Sequence, residues 1–224
     1  MIAPTIDELT VADDPERWAA LGFRVNEGAC DLGRVRVSFA AADAGARADG
    51  ARGLVGWSLR GLLTSELDGL PTEVSESEQR EPAPPHPNGV LAIDHIVAMS
   101  PSLPRSVDAL RSAGLDLRRV REEPTPAGAP RQAFFRLGEE ILELVQEPEE
   151  IVARAGGPDR PARFWGLAVL VEDIERTVAM LDGHGGEVRD AVQPGRRIAT
   201  VRRSAGLSIP LALMSRGEQA GVQR

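Results

Sequence analysis

Lysine and tyrosine are both missing from these 224 residues, cysteine occurs once, and aromatic residues make up only 4%. A lone thiol, Cys30, cannot close an internal disulfide, which fits a reducing compartment. No apolar run approaches the roughly 18 residues needed to cross a bilayer. The opening octet, Met1 to Glu8, has neither a basic region nor a hydrophobic stretch, so no secretory leader is expected there. A cytoplasmic protein without a membrane partner is the expectation. With no lysine, all 26 basic residues are arginine, against 34 acidic ones, for a formal charge of −8. An acidic chain with no basic stripe is poorly suited to nucleic acid, which requires phosphate neutralisation. The arginine bias reads as GC-rich codon usage, so an arginine is not by itself a recognition signal. Several signatures are absent too: H-E-x-x-H, C-x-x-C, G-x-G-x-x-G, the P-loop lysine and G-x-S-x-G.

What is present is a repeat. Two punctuated stretches divide the chain, a proline-rich acidic one at 64–88 and a glycine- and proline-containing one at 148–162. Both are expected as connectors, the first exposed, because they carry too little apolar surface to offset their ordering entropy. Three blocks remain, 4–63, 89–147 and 163–215. Shifted by 71 residues, Leu103, Val107 and Leu110 of the middle block fall on Ile174, Val178 and Leu181 of the last. Both sets keep the 4-then-3 spacing of one helical face. Ser102 and Asp173 stand at N-cap positions, and Gly114 and Gly185 just past the helices. An apolar strand precedes each helix, Leu91 to Met99 and Phe164 to Val171. Three β-like segments follow each, Leu117 to Arg121, Gln132 to Leu137 and Ile141 to Gln146, then Glu187 to Val192, Arg197 to Val201 and Leu207 to Met214. Both blocks read βαβββ. The first block is a degenerate third copy: Ile6-Asp7-Glu8 parallels Ile93-Asp94-His95, Asp14 caps a short helix, and strands are expected at Phe23 to Glu27, Arg34 to Ala40 and Leu54 to Leu59. The Ala/Gly-rich stretch 40–53 is expected as a hairpin loop.

Ile93-Asp94-His95-Ile96-Val97, then a helix, then Ile141-Leu142-Glu143-Leu144-Val145, resembles one module of the glyoxalase-like, vicinal-oxygen-chelate superfamily. The resemblance covers 89–215 and, loosely, 4–63. It implies an α+β fold of repeated βαβββ modules, with curved mixed β-sheets enclosing a cavity and helices packed outside. It also implies metal ligands on the first and last strands of a module, where this chain has His95 and Glu143. A carboxylate in a mostly apolar strand needs a cation, a donor or water, and imidazole with carboxylate suits a divalent ion such as Zn, Fe, Mn or Ni. The pattern departs elsewhere: the last block offers about Gly166 and Leu211 at the ligand places, and the first offers Glu8 with Gly56 or Trp57. Pairing the first and middle blocks would give the metal set Glu8, His95 and Glu143. Without a metal, His95 and Glu143 form a polar pair in a ligand pocket.

A second group is expected at the same cavity. Gln132, Phe134 and Arg136 share one face of a strand, Trp165 adjoins the missing ligand place, and Arg197 follows a turn containing Arg196. An arginine fork can hold a carboxylate or phosphate, and the aromatic rings can wall an organic ligand. His86 is expected in solvent, His184 at a helix C-terminus, and Cys30 as a buried thiol. Two functions stand open: a metal-dependent lyase, isomerase or dioxygenase acting on neighbouring oxygens, or a metal-free protein binding an antibiotic or metabolite. An odd number of modules also suggests homodimerisation, the unpaired copy meeting its twin.

Overall fold

The computed structural model describes residues 3–40, 52–124, 128 and 130–217. Most of 40–53 therefore lies outside the described residues. The first part of the chain holds β1 (Thr5–Val11), α1 (Pro15–Ala20), β2 (Ala29–Leu32), β3 (Val35–Phe39), β4 (Leu54–Arg60) and β5 (Thr72–Val74). The middle block holds β6 (Val90–Ser100), α2 (Leu103–Ser112), β7 (Asp116–Arg121), β8 (Gln132–Leu137) and β9 (Glu140–Gln146), followed by α3 (Glu149–Arg154). The last block holds β10 (Arg163–Val171), α4 (Ile174–Met180), β11 (Arg189–Asp190), β12 (Arg197–Thr200) and β13 (Leu211–Ser215).

The strands form two mixed sheets, neither closed into a barrel, so the fold class is α+β. The larger runs β11-β12-β13-β10-β6-β9-β8-β7 and contains both complete βαβββ repeats. In each, the first strand lies parallel to the last, as β6 does to β9 and β10 to β13. The repeats join where β6 and β10 run antiparallel. Period-two burial sorts the side chains: Ala133, Phe135 and Leu137 of β8 and Leu142 and Leu144 of β9 are buried on the helix side, leaving Phe134, Arg136, Ile141 and Glu143 on the other. On α2 the core stripe is Leu103, Val107 and Leu110, and on α4 Ile174, Val178 and Leu181, as the periodicity requires. Asp173 and Asp14 cap their helices by accepting from the N–H of Arg176 and Glu16, each at 3.0 Å, whereas the Ser102 side chain makes no such bond.

The smaller sheet, β2-β3-β1-β4-β5, departs from the sequence-based expectation. Phe23 to Glu27 forms no strand beyond a bridge from Asn26 to Ala29; Phe23 instead packs on Trp18, with ring centroids 4.8 Å apart. The strand parallel to β1 is β3, while β4 runs antiparallel to β1 and β5 parallel to β4. Those directions repeat, strand for strand, the β8-β9-β6-β10-β13 centre of the larger sheet. β1 thus has a partner strand within its own chain.

The proline-rich stretch is largely exposed, as expected, but it is pinned to the core at a few residues. Asp7, 5% exposed, accepts from Arg60, Arg80 and Ser75. His86 is buried, its Nδ1 accepting from Arg24 N–H at 2.8 Å and its Nε2 lying 3.0 Å from the Asp31 carbonyl. The second connector is clamped through Glu147, which meets Arg160 at 2.5 Å and Arg163 at 3.1 Å. Trp57 of β4 meets Phe164 of β10 edge-on at 5.1 Å, joining the two sheets.

Removing the Asp7 carboxylate strands two guanidinium groups around a dry position, so Asp7→Ala should cost about 3 kcal/mol in urea unfolding. A loss below the scatter of ordinary surface substitutions would contradict that role. Glu140, buried at the start of β9, is pushed by burial up to about 7 from 4.5. Between those values the folded chain keeps a proton that the unfolded chain has released. Stability should therefore fall as pH rises from about 4.5 to 7 and level off above. Glu140→Gln should flatten that part of the pH–stability curve.

Candidate functional site

A register irregularity shapes the site. Along the β6–β10 pairing His95 opposes Ala168 and Ile93 opposes Val169, so Asp94 is the extra residue of a β-bulge. A bulge turns two successive side chains toward one side. Ile93 thus faces the core, 4% exposed, while Asp94 and His95 both face the cleft; the simple alternation that would align Ile93 with His95 is broken. A second bulge falls at Trp165 of β10. The pairs His95 with Ala168 and Val97 with Gly166 make the repeats equivalent at the 71-residue shift, so that Gly166 stands in the last repeat where His95 stands in the middle one, and Trp165 where Asp94 stands. The smaller sheet bulges likewise at Asp7, next to Glu8.

Below the bulge lies a cleft of about 580 Å³. Its floor is β6, β8 and β9, one wall is β7, and Val192 to Arg196 reach in from the last repeat. His95 Nδ1 lies 2.7 Å from Asp94 Oδ2, and its Nε2 lies 3.6 Å from Glu143 Oε2. The first is a hydrogen bond and the second is too long to be one. An ionised Asp94 accepts only, so Nδ1 carries the donated proton and Nε2 is turned toward Glu143 and the cleft. Glu143 accepts from Gln132, and Asp94 accepts from Arg196. Arg196 also donates to the Ser215 carbonyl at 2.9 Å and to Gln193 at 2.8 Å, tying the last repeat to the bulge.

The two carboxylates beside His95 are driven apart. Burial works against ionisation of Asp94, yet hydrogen bonds from His95 and Arg196 hold its carboxyl below the ordinary value. Burial pushes Glu143 up, opposed by His95, Gln132 and Arg121 and reinforced by the negative charge of Asp94.

The residues expected at a site from the sequence are only partly brought together. His95, Glu143, Phe134 and Arg136 line the cleft, and the buried Gln132 reaches it through Glu143. Glu8 does not: it sits in the smaller sheet opposite Arg36 and Ser58. Trp165 is 48% exposed and outside the cleft lining, because the bulge displaces it from its strand's alternation. Arg197 is bound to Glu175 of α4, and it is Arg196 that enters the cleft. Register also corrects the last repeat: Ala212, not Leu211, matches Glu143, since Ala168 opposes Ala212 as Val97 opposes Glu143. Arg119, Arg121 and Asp94 were missed. Asp94 was legible only if the repeated Ile-Asp pair had been read as a bulge, and nothing in the exposed pattern of β7 marks its arginines.

These residues do not compose a resident metal site. Among the described residues no group of three His, Cys, Asp or Glu side chains is placed to hold an ion. Asp94 is already engaged by His95 and Arg196, and Ala212 offers no donor. At Gly166 a Cβ would lie 3.0 Å from the Pro210 carbonyl oxygen, so the backbone itself occupies the space of a ligand side chain. Gly166→Ala should accordingly destabilise the fold by about 1–3 kcal/mol, and an unchanged thermal midpoint would show that the Pro210 segment yields freely.

A family model described as the glyoxalase/bleomycin resistance protein/dioxygenase superfamily matches residues 92–205, just over half of the chain. No curated protein matches in sequence. Among solved structures, a triple mutant of 4-hydroxymandelate synthase from Streptomyces coelicolor aligns at TM-score 0.61 and 12% identity, over 97% of this chain and 94% of that one. A xylose isomerase-like TIM barrel/4-hydroxyphenylpyruvate dioxygenase fusion protein aligns at 0.61 and 14%, over 98% of this chain and 50% of that one. Methylmalonyl-CoA epimerase from Mycobacterium tuberculosis aligns at 0.46 and 15%, over 57% and 89%. At such identities the likeness is one of fold.

Proposed function

The chain belongs to the glyoxalase/bleomycin resistance protein/dioxygenase superfamily, and we propose that it binds a small organic molecule in the cleft of its larger sheet without a resident metal. The observation that carries this reading is the arrangement around His95, whose Nδ1 is held by Asp94 and whose Nε2 is turned with Glu143 toward an open cleft. Nε2 and Glu143 can address one ligand oxygen together, the imidazole accepting a hydrogen bond and a protonated Glu143 donating one. Gln132 orients Glu143, Phe134 supplies a flat apolar contact and Arg136 a charge at the rim. Trp165 and Arg197 have no part in the reading.

The competing reading is a metal-dependent lyase, isomerase or dioxygenase with zinc, iron, manganese or nickel on His95 and Glu143. Asp94 favours it, because a carboxylate on the far nitrogen is the usual outer partner of a metal-bound imidazole. Against it stands the two-donor set.

Metal analysis of protein purified without chelators separates the two. The expected outcome is well under one equivalent of any transition metal, and the same trace content in His95→Ala. One equivalent retained by the natural sequence and lost in His95→Ala would overturn the metal-free reading. A thermal-shift screen against metabolites and antibiotics should then find stabilising ligands whose effect weakens in Glu143→Ala.

A further inference from the structure

The wall of the cleft opposite His95 carries an unusual charge arrangement. Arg119 and Arg121 of β7 and Arg136 of β8 all line it. Among the described residues none of these three forms an ion pair, whereas Arg36, Arg60, Arg80, Arg105, Arg118 and Arg131 all do. The Nε of Arg121 is also buried with no hydrogen-bond partner. A buried guanidinium N–H left without an acceptor is costly, and a ligand oxygen would remove that cost. Three arginines outside any ion pair thus share one side of the cleft, in a chain whose formal charge is −8. The cleft lining holds four arginines and four carboxyl groups: Asp94 takes Arg196, Glu123 and Glu139 stand among the other three, and Glu143 is within electrostatic reach of Arg121.

Register sets the distance from the wall to the His95 pair. Arg136 opposes Ile141, and Ile141 opposes His95, so the two lie in one row two strands apart, about 10 Å along the sheet. Arg119 opposes Phe134, which opposes Glu143. Phe134 and Ile141, both apolar, form the ground between Arg119 or Arg136 and the polar pair, whereas Arg121 opposes Gln132, the residue that donates to Glu143. Arginine side chains extend several ångströms back over that ground, so a short linker spans it.

We infer that Arg119, Arg121 and Arg136 form a carboxylate subsite, and that the ligand is a bifunctional monoacid whose hydroxyl reaches His95 and Glu143 across an apolar spacer on Phe134 and Ile141. This rests on the proposed small-molecule role of the cleft and adds the class of ligand to it. The guanidinium fork receives the carboxylate in two parallel hydrogen bonds. The remaining cleft arginine, Arg196, is taken up by Asp94 and is not part of the subsite.

A ruler series of hydroxy acids tests it: 5-hydroxypentanoate, 6-hydroxyhexanoate, 7-hydroxyheptanoate and 8-hydroxyoctanoate, each beside its methyl ester, with binding measured by calorimetry and protein NMR. One length should bind best, and its ester at least tenfold more weakly. The double variant Arg119→Gln/Arg136→Gln should lose tenfold or more for the acid at an unchanged thermal midpoint, and the single variant Arg121→Gln should lose as much at a midpoint that is equal or higher. Arg118→Gln, on the same strand but paired with Asp116, should bind as the natural sequence does. Acid binding should weaken with added salt. Equal affinity for acid and ester, or full affinity in the arginine variants, overturns the subsite. If the esters bind and lose affinity in His95→Ala, the subsite falls while the small-molecule reading stands. If no member binds at millimolar concentration, the subsite is likewise rejected, and the broader reading is judged on its metal analysis and ligand screen.

Discussion

The antiparallel contact between β6 and β10 is what the rest of the molecule depends on. It joins two repeats that could not bury their strands separately, and every cleft position is read from its register. Its irregularities matter as much as its regular pairs. A perfectly alternating β6 would place Asp94 on the core side, where an ionised carboxylate has no water and no partner. The bulge turns it out beside His95, where His95 and Arg196 satisfy it. The same device at Asp7 has the opposite use in the smaller sheet. There the aspartate is buried under Arg60 and Arg80 and fastens the proline-rich segment to the fold. One sequence pair, Ile-Asp, makes a bulge twice and serves structure once and the cleft once.

The asymmetry between the two complete repeats explains why the cleft lies on one of them. In the middle repeat the matched positions hold Asp94, His95 and Glu143; in the last they hold Trp165, Gly166 and Ala212. The last repeat contributes instead through its Val192 to Arg196 loop, and Arg196 crosses to Asp94. Polar chemistry is thus concentrated on β6, β8 and β9, while the partner repeat supplies a lid edge and a counter-charge. The arginines of β7 complete the enclosure from the opposite side, with Phe134 and Ile141 between the two polar regions.

Periodicity carried α2, α4 and the strands of the middle repeat because each element's buried face recurs at its own spacing, and that spacing is local; in the last repeat only Arg189–Asp190 of Glu187 to Val192 is strand, and the final strand starts at Leu211 where Leu207 was expected. The pairing of His95 with Glu143 was legible through the resemblance, which implies ligand places on the opening and closing strands of one repeat. The first block was harder. Its expected closing strand, Leu54 to Leu59, is present as β4, but it runs antiparallel to β1 and is followed by β5. Alternation says which residues face inward; it does not say which strand is the neighbour or in which direction it runs. His86 shows a similar limit, since a proline-rich context suggests solvent while its ring nitrogens are both occupied by backbone groups brought in from Arg24 and Asp31.

By itself the amino-acid sequence determined the repeats and their helices through local periodicity, and through its resemblance to a known family it implied the α+β class and an imidazole and a carboxylate on paired strands. Tertiary structure alone decided that Glu8 stays in another sheet, that Trp165 and Arg197 leave the cleft, that Arg196 enters it, and that Arg119 and Arg121 face His95 from the far wall. The physical reason is common to these cases. A bulge or a change of neighbouring strand moves a side chain from one face to the other without altering the local apolar pattern from which faces are read.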